Sequence, residues 1–153
     1  MAIPDRIPIA HEPDYRTDSI GTFDDGQFFG SVTATVEYGA GARDDWYRYK
    51  RWYAVLRRFD ADGAHIGSQI SCAGTSEDEA TSIDRAQARL AEWLDPLSGR
   101  AFGDIAINLF HVEVDGHIFG LVDESEKYDG QDHAEFVPDD LRFDPPWDGC
   151  YDT

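Results

Sequence analysis

The sequence predicts an α+β fold: a mainly antiparallel sheet built from three β-hairpins, one amphipathic helix between the second and third, and an acidic C-terminal tail. Three observations carry this. Asp-Gly turn signals separate runs rich in β-branched and aromatic residues at three places, and one capped helical pattern lies between the second and third pair. The third is composition: hydrophobic residues are 41% and aromatics 13% of the 153, too many for a disordered acidic chain. A chain of this length buries about 70% of the surface its unfolded form exposes and reads as one domain, 1–153.

The first hairpin runs from Ile20 to Phe23, turns at Asp24-Asp25-Gly26 and returns through Gln27 to Val36. Phe28, Val32, Ala34 and Val36 alternate there with Ser31, Thr33 and Thr35, a period of two that predicts one buried face. The second runs from Trp52 to Phe59, turns at Asp60-Ala61-Asp62-Gly63 and returns from His65 to Cys72. Ser76 followed by Glu79 then marks a capping-box helix start, with Glu77, Asp78 and Glu79 against the positive end of the helix dipole. Ile83, Ala86, Leu90 and Leu94 form its apolar stripe, and Pro96 stops it.

The third hairpin spans Ile105 to Val114, turns at Asp115-Gly116 and returns from His117 to Asp123. A two-residue turn pairs Val114 with His117, Val112 with Phe119 and Phe110 with Leu121. One face is then Phe110, Val112, Val114, Phe119 and Leu121. The other carries Ile105, Ile107, Leu109, Ile118 and Val122 among His111 and Glu113. Apolar residues on both faces place this hairpin at the heart of the fold, under the helix on one side and the tail or a second sheet on the other.

Charge is the strongest functional signal. The chain holds 31 acidic and 13 basic residues, a net of −18, and residues 104–153 alone carry 14 acids and 2 bases. Such a field repels phosphates and anionic membranes and favours cationic partners. Two cysteines, Cys72 and Cys150, stand far apart without metal spacing and read as reduced, with Cys72 a small buried residue. The start shows no apolar leader and nowhere do about 18 apolar residues run uninterrupted, so a cytoplasmic protein without membrane contact is expected.

Each site pattern competes with a structural explanation. Asp60-x-Asp62-Gly63 opens like a Ca²⁺ loop, but Ala64, His65 and Ser71 stand where ligand, glycine and glutamate belong. A loop from Ser125 fails on Lys127 and Phe136, so both are turns. His111 and Glu113, beside Asp115, share a face but lack a third metal ligand; a small metal-dependent enzyme there is an alternative, and no metal, cofactor or catalytic residue is expected. Arg48, Lys50, Arg51, Arg57 and Arg58, interleaved with aromatics over 46–58, suit single-stranded nucleic acid, which the net charge disfavours. In the tail, Pro145-Pro146-Trp147 through Tyr151 either packs at home or inserts into a partner.

Several blocks resemble a family of actinobacterial proteins labelled formate hydrogenlyase regulatory proteins. They are Ile7-Pro8-Ile9-Ala10-His11-Glu12-Pro13-Asp14-Tyr15-Arg16-Thr17-Asp18, Tyr53-Ala54-Val55-Leu56 through Cys72-Ala73-Gly74-Thr75, Phe102-Gly103-Asp104-Ile105-Ala106-Ile107, and Pro146-Trp147-Asp148-Gly149 with Tyr151-Asp152-Thr153. The resemblance implies a regulator that acts by contact, without chemistry of its own. Residue pattern and resemblance together lead to one expectation: a non-enzymatic cytoplasmic interaction protein whose acidic surface binds a basic protein, as regulator or immunity-type inhibitor. Asp129, Asp132, Asp139, Asp140, Trp147 and Tyr151 are the expected partner-binding residues, and oligomeric state is left open.

Overall fold

The computed structural model describes residues 2–153. Its strands are β1 (Ile7–Ile9), β2 (Ile20–Phe23), β3 (Gly26–Val36), β4 (Lys50–Phe59) and β5 (His65–Thr75), followed by the helix α1 (Glu79–Leu94). Then come β6 (Ala101–Phe102), β7 (Ile105–Ile107), β8 (Phe110–Val114), β9 (His117–Asp123), β10 (Ala134–Val137) and β11 (Leu141–Phe143). All pairings are antiparallel: a five-stranded sheet ordered β5-β4-β3-β2-β6, a four-stranded sheet ordered β11-β10-β9-β8, and the pair β1-β7. The α+β class and the hairpin arrangement follow the expectation. No helix among the described residues is long and apolar enough to cross a membrane.

Three layers result. Helix α1 covers one face of the five-stranded sheet, with Ala86, Leu90 and Leu94 against Phe28, Ala54 and Leu56. Gly30 permits this approach, since a Cβ there would lie 3.0 Å from Leu90 Cδ1. The opposite face packs on the four-stranded sheet and the β1-β7 pair through Ile20, Phe29, Phe59, Leu121, Phe136 and Phe143. Alternation along β4 sends Tyr53, Val55 and Phe59 to this side and Ala54 and Leu56 to the helix.

The helix start differs in detail from a capping box. The Thr75 side chain accepts from the Glu77 backbone N–H and opens a 3₁₀ turn, Ser76–Asp78, ahead of α1. The Ser76 hydroxyl is taken up by neighbours: it accepts from Trp52 Nε1 at 2.9 Å and donates to Glu79 at 2.9 Å.

The third hairpin has the expected register, Val114 opposite His117 and Phe110 opposite Leu121, but not the expected place. Its first strand breaks after Ile107. Residues 105–107 turn away to pair with β1, and the Gln27 side chain holds them by donating to Ala106 O and accepting from Ala106 N. β8 is consequently an edge strand, and its second face is open to solvent: Leu109, His111, Glu113 and Ile118 are exposed. The centre of the molecule is β3-β4 instead.

β3 has both faces covered, which corrects the one-face expectation. Ser31, Thr33 and Thr35 are buried while Val36 is exposed. The reason is nonlocal: this polar face lies between the sheets, where Arg57 of β4 is fully buried. Arg57 Nη2 pairs with Asp139 Oδ1 at 2.9 Å, and Nη1 donates to Ser31 Oγ at 3.1 Å. Its guanidinium sits 4.5 Å from the Phe136 ring centre and 5.2 Å from that of Phe29. Burial pushes the guanidinium pKa down and Asp139 draws it back up. Arg57 is therefore unavailable to nucleic acid and Asp139 to a partner, against both expectations.

Removing one member of a buried pair strands the other charge. Asp139→Asn is expected to destabilise the protein by about 3–5 kcal/mol in urea titration, and adding Arg57→Met to recover more than half of that loss. A second outcome concerns pH. Burial lowers the pKa of His65, whose ring stacks 4.6 Å from that of Phe110. The folded state prefers neutral imidazole, whereas the unfolded chain protonates near 6.5, so stability falls as pH drops below 6.5. His65 Nε2 also lies 2.7 Å from Ser68 Oγ, a contact glutamine can keep, and His65→Gln should flatten the thermal-melting profile between about pH 7 and pH 5.

Candidate functional site

The acidic segment after β9 is folded into the second sheet. From Glu124 the chain closes a tight loop: Glu124 N–H donates to His133 O at 3.0 Å, and His133 N–H to Ser125 Oγ at 3.0 Å. Ser125 in turn donates its N–H to Asp123 Oδ1 at 2.9 Å, and these bonds from Ser125 hold the Asp123 carboxyl below its ordinary pKa. Asp129 adopts left-handed φ 56° and Gly130 φ 79°, reversing the chain. The Tyr128 ring then lies over His133 at 3.8 Å between centres, and His133 Nε2 faces Glu135 at 3.3 Å.

Beyond β11 the chain returns alongside it. Arg142 and Asp152 exchange both backbone hydrogen bonds, at 2.9 and 3.0 Å, and Arg142 Nη2 donates to Thr153 O at 2.7 Å. The Tyr151 hydroxyl lies 2.9 Å from Thr17 Oγ1, and burial pushes its pKa up. Between the loop and the returning chain runs an open groove of about 970 Å³. Asp132, Asp144, Asp152 and Arg142 line it, with Tyr128 and Tyr151 supplying aromatic surface and His133 buried beneath Tyr128. Two cations serve all of residues 104–153, and Lys127 is engaged by Glu124 at 3.3 Å. The groove therefore combines carboxylates outside any close ion pair with ring surface, the chemistry that receives guanidinium and ammonium groups, although Asp152 also acts on Arg142.

Of the residues expected to bind a partner, the structure brings Asp132 and Tyr151 to this groove. Asp129 and Asp140 are exposed turn residues, the latter at φ 60°. Trp147 corrects the expectation: it is half-buried against the core, its Nε1 enclosed without a partner. The following segment is tied down by Ala10 N–H donating to Gly149 O at 3.0 Å, so the Trp147 ring is not a free anchor.

The basic stripe is not one surface. Arg57 and Arg58 point to opposite faces of β4, one buried and the other half-buried beside Gly67. Nearer the start of β4 the rings already carry their own cations, Lys50 over Trp52 at 4.8 Å and Arg48 over Tyr47 at 6.0 Å. Arg51 is exposed, and its pKa is raised by its hydrogen bond with Tyr53. His111 and Glu113 lie on the open face of β8, while Asp115 turns inward to accept from the Tyr53 hydroxyl at 3.0 Å. Among the described residues no three His, Cys, Asp or Glu side chains are grouped to hold a metal. Cys72 is exposed, not buried, because β5 is an edge strand; Cys150 is exposed too, and the Asp148 charge pushes its thiol pKa up.

Sequence reasoning missed His133, Tyr128 and Arg142. The available signal was the i, i+2 spacing of His133 and Glu135, which puts both on one side of an extended chain. Compared with known proteins, the chain matches no family model, no curated protein and no solved structure.

Proposed function

We propose that this protein is a non-enzymatic binder of basic protein segments, acting as a cytoplasmic regulator or inhibitor by occupying a partner's cationic surface. One observation carries the reading: the groove lined by Asp132, Asp144 and Asp152 together with Tyr128 and Tyr151. Arginine and lysine side chains are recognised by carboxylates at their charge and by rings along their stems. The surrounding excess of carboxylates speeds encounter with such a segment. A partner that uses its basic surface to hold nucleic acid would be blocked by this contact. The resemblance to regulatory proteins supports the same reading, while the divided arginine stripe and the net charge weigh against nucleic acid as ligand.

Fluorescein-labelled octa-arginine tests this directly by anisotropy. Binding should weaken steeply as NaCl rises from low to physiological levels, and the triple variant Asp132→Asn, Asp144→Asn, Asp152→Asn should lose about tenfold in affinity. A control with equal charge removal, Asp5→Asn, Asp84→Asn, Asp95→Asn, should lose much less. Equal losses in the two variants would show that net charge alone, not the groove, attracts the peptide.

A further inference from the structure

The outer edge of the five-stranded sheet is β5, eleven residues long. It lies in residues 63–76, the longest run of the chain without Asp, Glu, Lys or Arg. In a protein with 29% charged residues, that run sits where charge ordinarily guards an open strand. The other edges are guarded: β6 has only two residues, β8 exposes Glu113, and β11 carries Arg142 and is bridged by Asp152. On β5 the guard is partial. Register shifts against β4 interrupt the strand at Ile66 and Ala73, Arg58 of β4 stands beside Gly67, and Arg85 and Arg89 of α1 donate to the carbonyls of Ala73 and Cys72, at 2.6 and 3.4 Å, Arg89 also to Ser71 Oγ. From Gly67 to Cys72 the strand pairs with β4 in unbroken register, and Ile66 and Gln69 are exposed.

We propose that two copies of this chain associate by antiparallel pairing of β5 with β5 through residues 67–71, Gln69 opposite Gln69, joining two five-stranded sheets across a twofold axis. A self-pairing strand sets its residues against those of an identical strand, so any charge on it meets its own kind nearby. The absence of charge on β5 removes that penalty. Residues 43–103, which contain β5, carry 10 acids and 9 bases, so this is also where two bodies of net −18 approach with the least repulsion. The binding energy comes from main-chain hydrogen bonds, as in strand addition generally, and the small area makes the dimer weak and concentration-dependent. β5 lies against β8, as the stacking of His65 on Phe110 shows, whereas the acidic groove adjoins β11 at the far edge of the second sheet. The dimer therefore stands or falls independently of the groove.

Sedimentation velocity across a concentration series tests the proposal. The wild-type protein should move from its monomer mass of 17.2 kDa toward twice that mass, and added NaCl should favour the dimer, opposite to its effect on a basic ligand. Amides of residues 67–71 should exchange more slowly as concentration rises. Gln69→Asp and Ile66→Asp, both at exposed positions, should abolish the dimer, while Gln87→Asp on the exposed side of α1 should retain it with the same change in net charge. A monomer at every concentration up to about 1 mM, or a dimer that survives both β5 substitutions, overturns the proposal.

Discussion

The ion pair between Arg57 and Asp139 is the constraint around which this molecule is arranged. It joins the C-terminal part of β4, an inner strand of one sheet, to the turn between β10 and β11 of the other. A fully buried guanidinium gains little net stability from its partner, because desolvation of both ions offsets most of their attraction. What it does is select: any packing of the acidic segment that leaves Asp139 elsewhere leaves Arg57 uncompensated among Phe29 and Phe136. The groove depends on this registration. Asp132 and His133 lead directly into β10, and Asp144 follows directly on β11, so the turn that holds Asp139 also sets the distance between the walls.

The same arrangement explains how a chain with 31 carboxylates keeps a dry interior. Among the described residues the core contains no acidic residue besides Asp139, and the remaining acids lie at or near the surface. Among the described residues the close ion pairs are few, and apart from Arg57 with Asp139 they are partly exposed: Arg6 with Asp62, Arg43 with Asp45 and Lys127 with Glu124. Most carboxylates thus keep their field, and along residues 104–153 that field is concentrated on one folded layer. Attraction toward a cation is strongest where the rings of Tyr128 and Tyr151 also offer surface.

Much of the fold was legible because its rules are local. Asp115-Gly116 sets a two-residue turn, and that turn alone dictates Val114 opposite His117 and everything that follows in the ladder. The helix stripe Ala86, Leu90 and Leu94 follows from a period of 3.6. What was not legible depends on partners distant in sequence. Ser31, Thr33 and Thr35 read as a solvent face until Arg57 and the second sheet cover them. The apolar residues 105–107 read as part of a hairpin because their true partner, β1, lies near the other end of the chain. At the groove, the density of aspartates pointed to Asp132 and the tail aromatics to Tyr151. Asp139 carried the same local signal as Asp132, and only the burial of Arg57 separates their roles.

The central claim is that the acidic C-terminal segment is a folded layer locked to β4 and not a solvated tail. Amide hydrogen exchange over residues 124–153, read by mass spectrometry at low and physiological salt, tests it most directly. Protection of residues 134–143 comparable to that of β3 and β4 is the result expected, and its loss in Asp139→Asn ahead of the five-stranded sheet would locate the lock. Exchange of residues 134–143 at the rate of an unstructured chain, with β3 and β4 protected, would contradict the account.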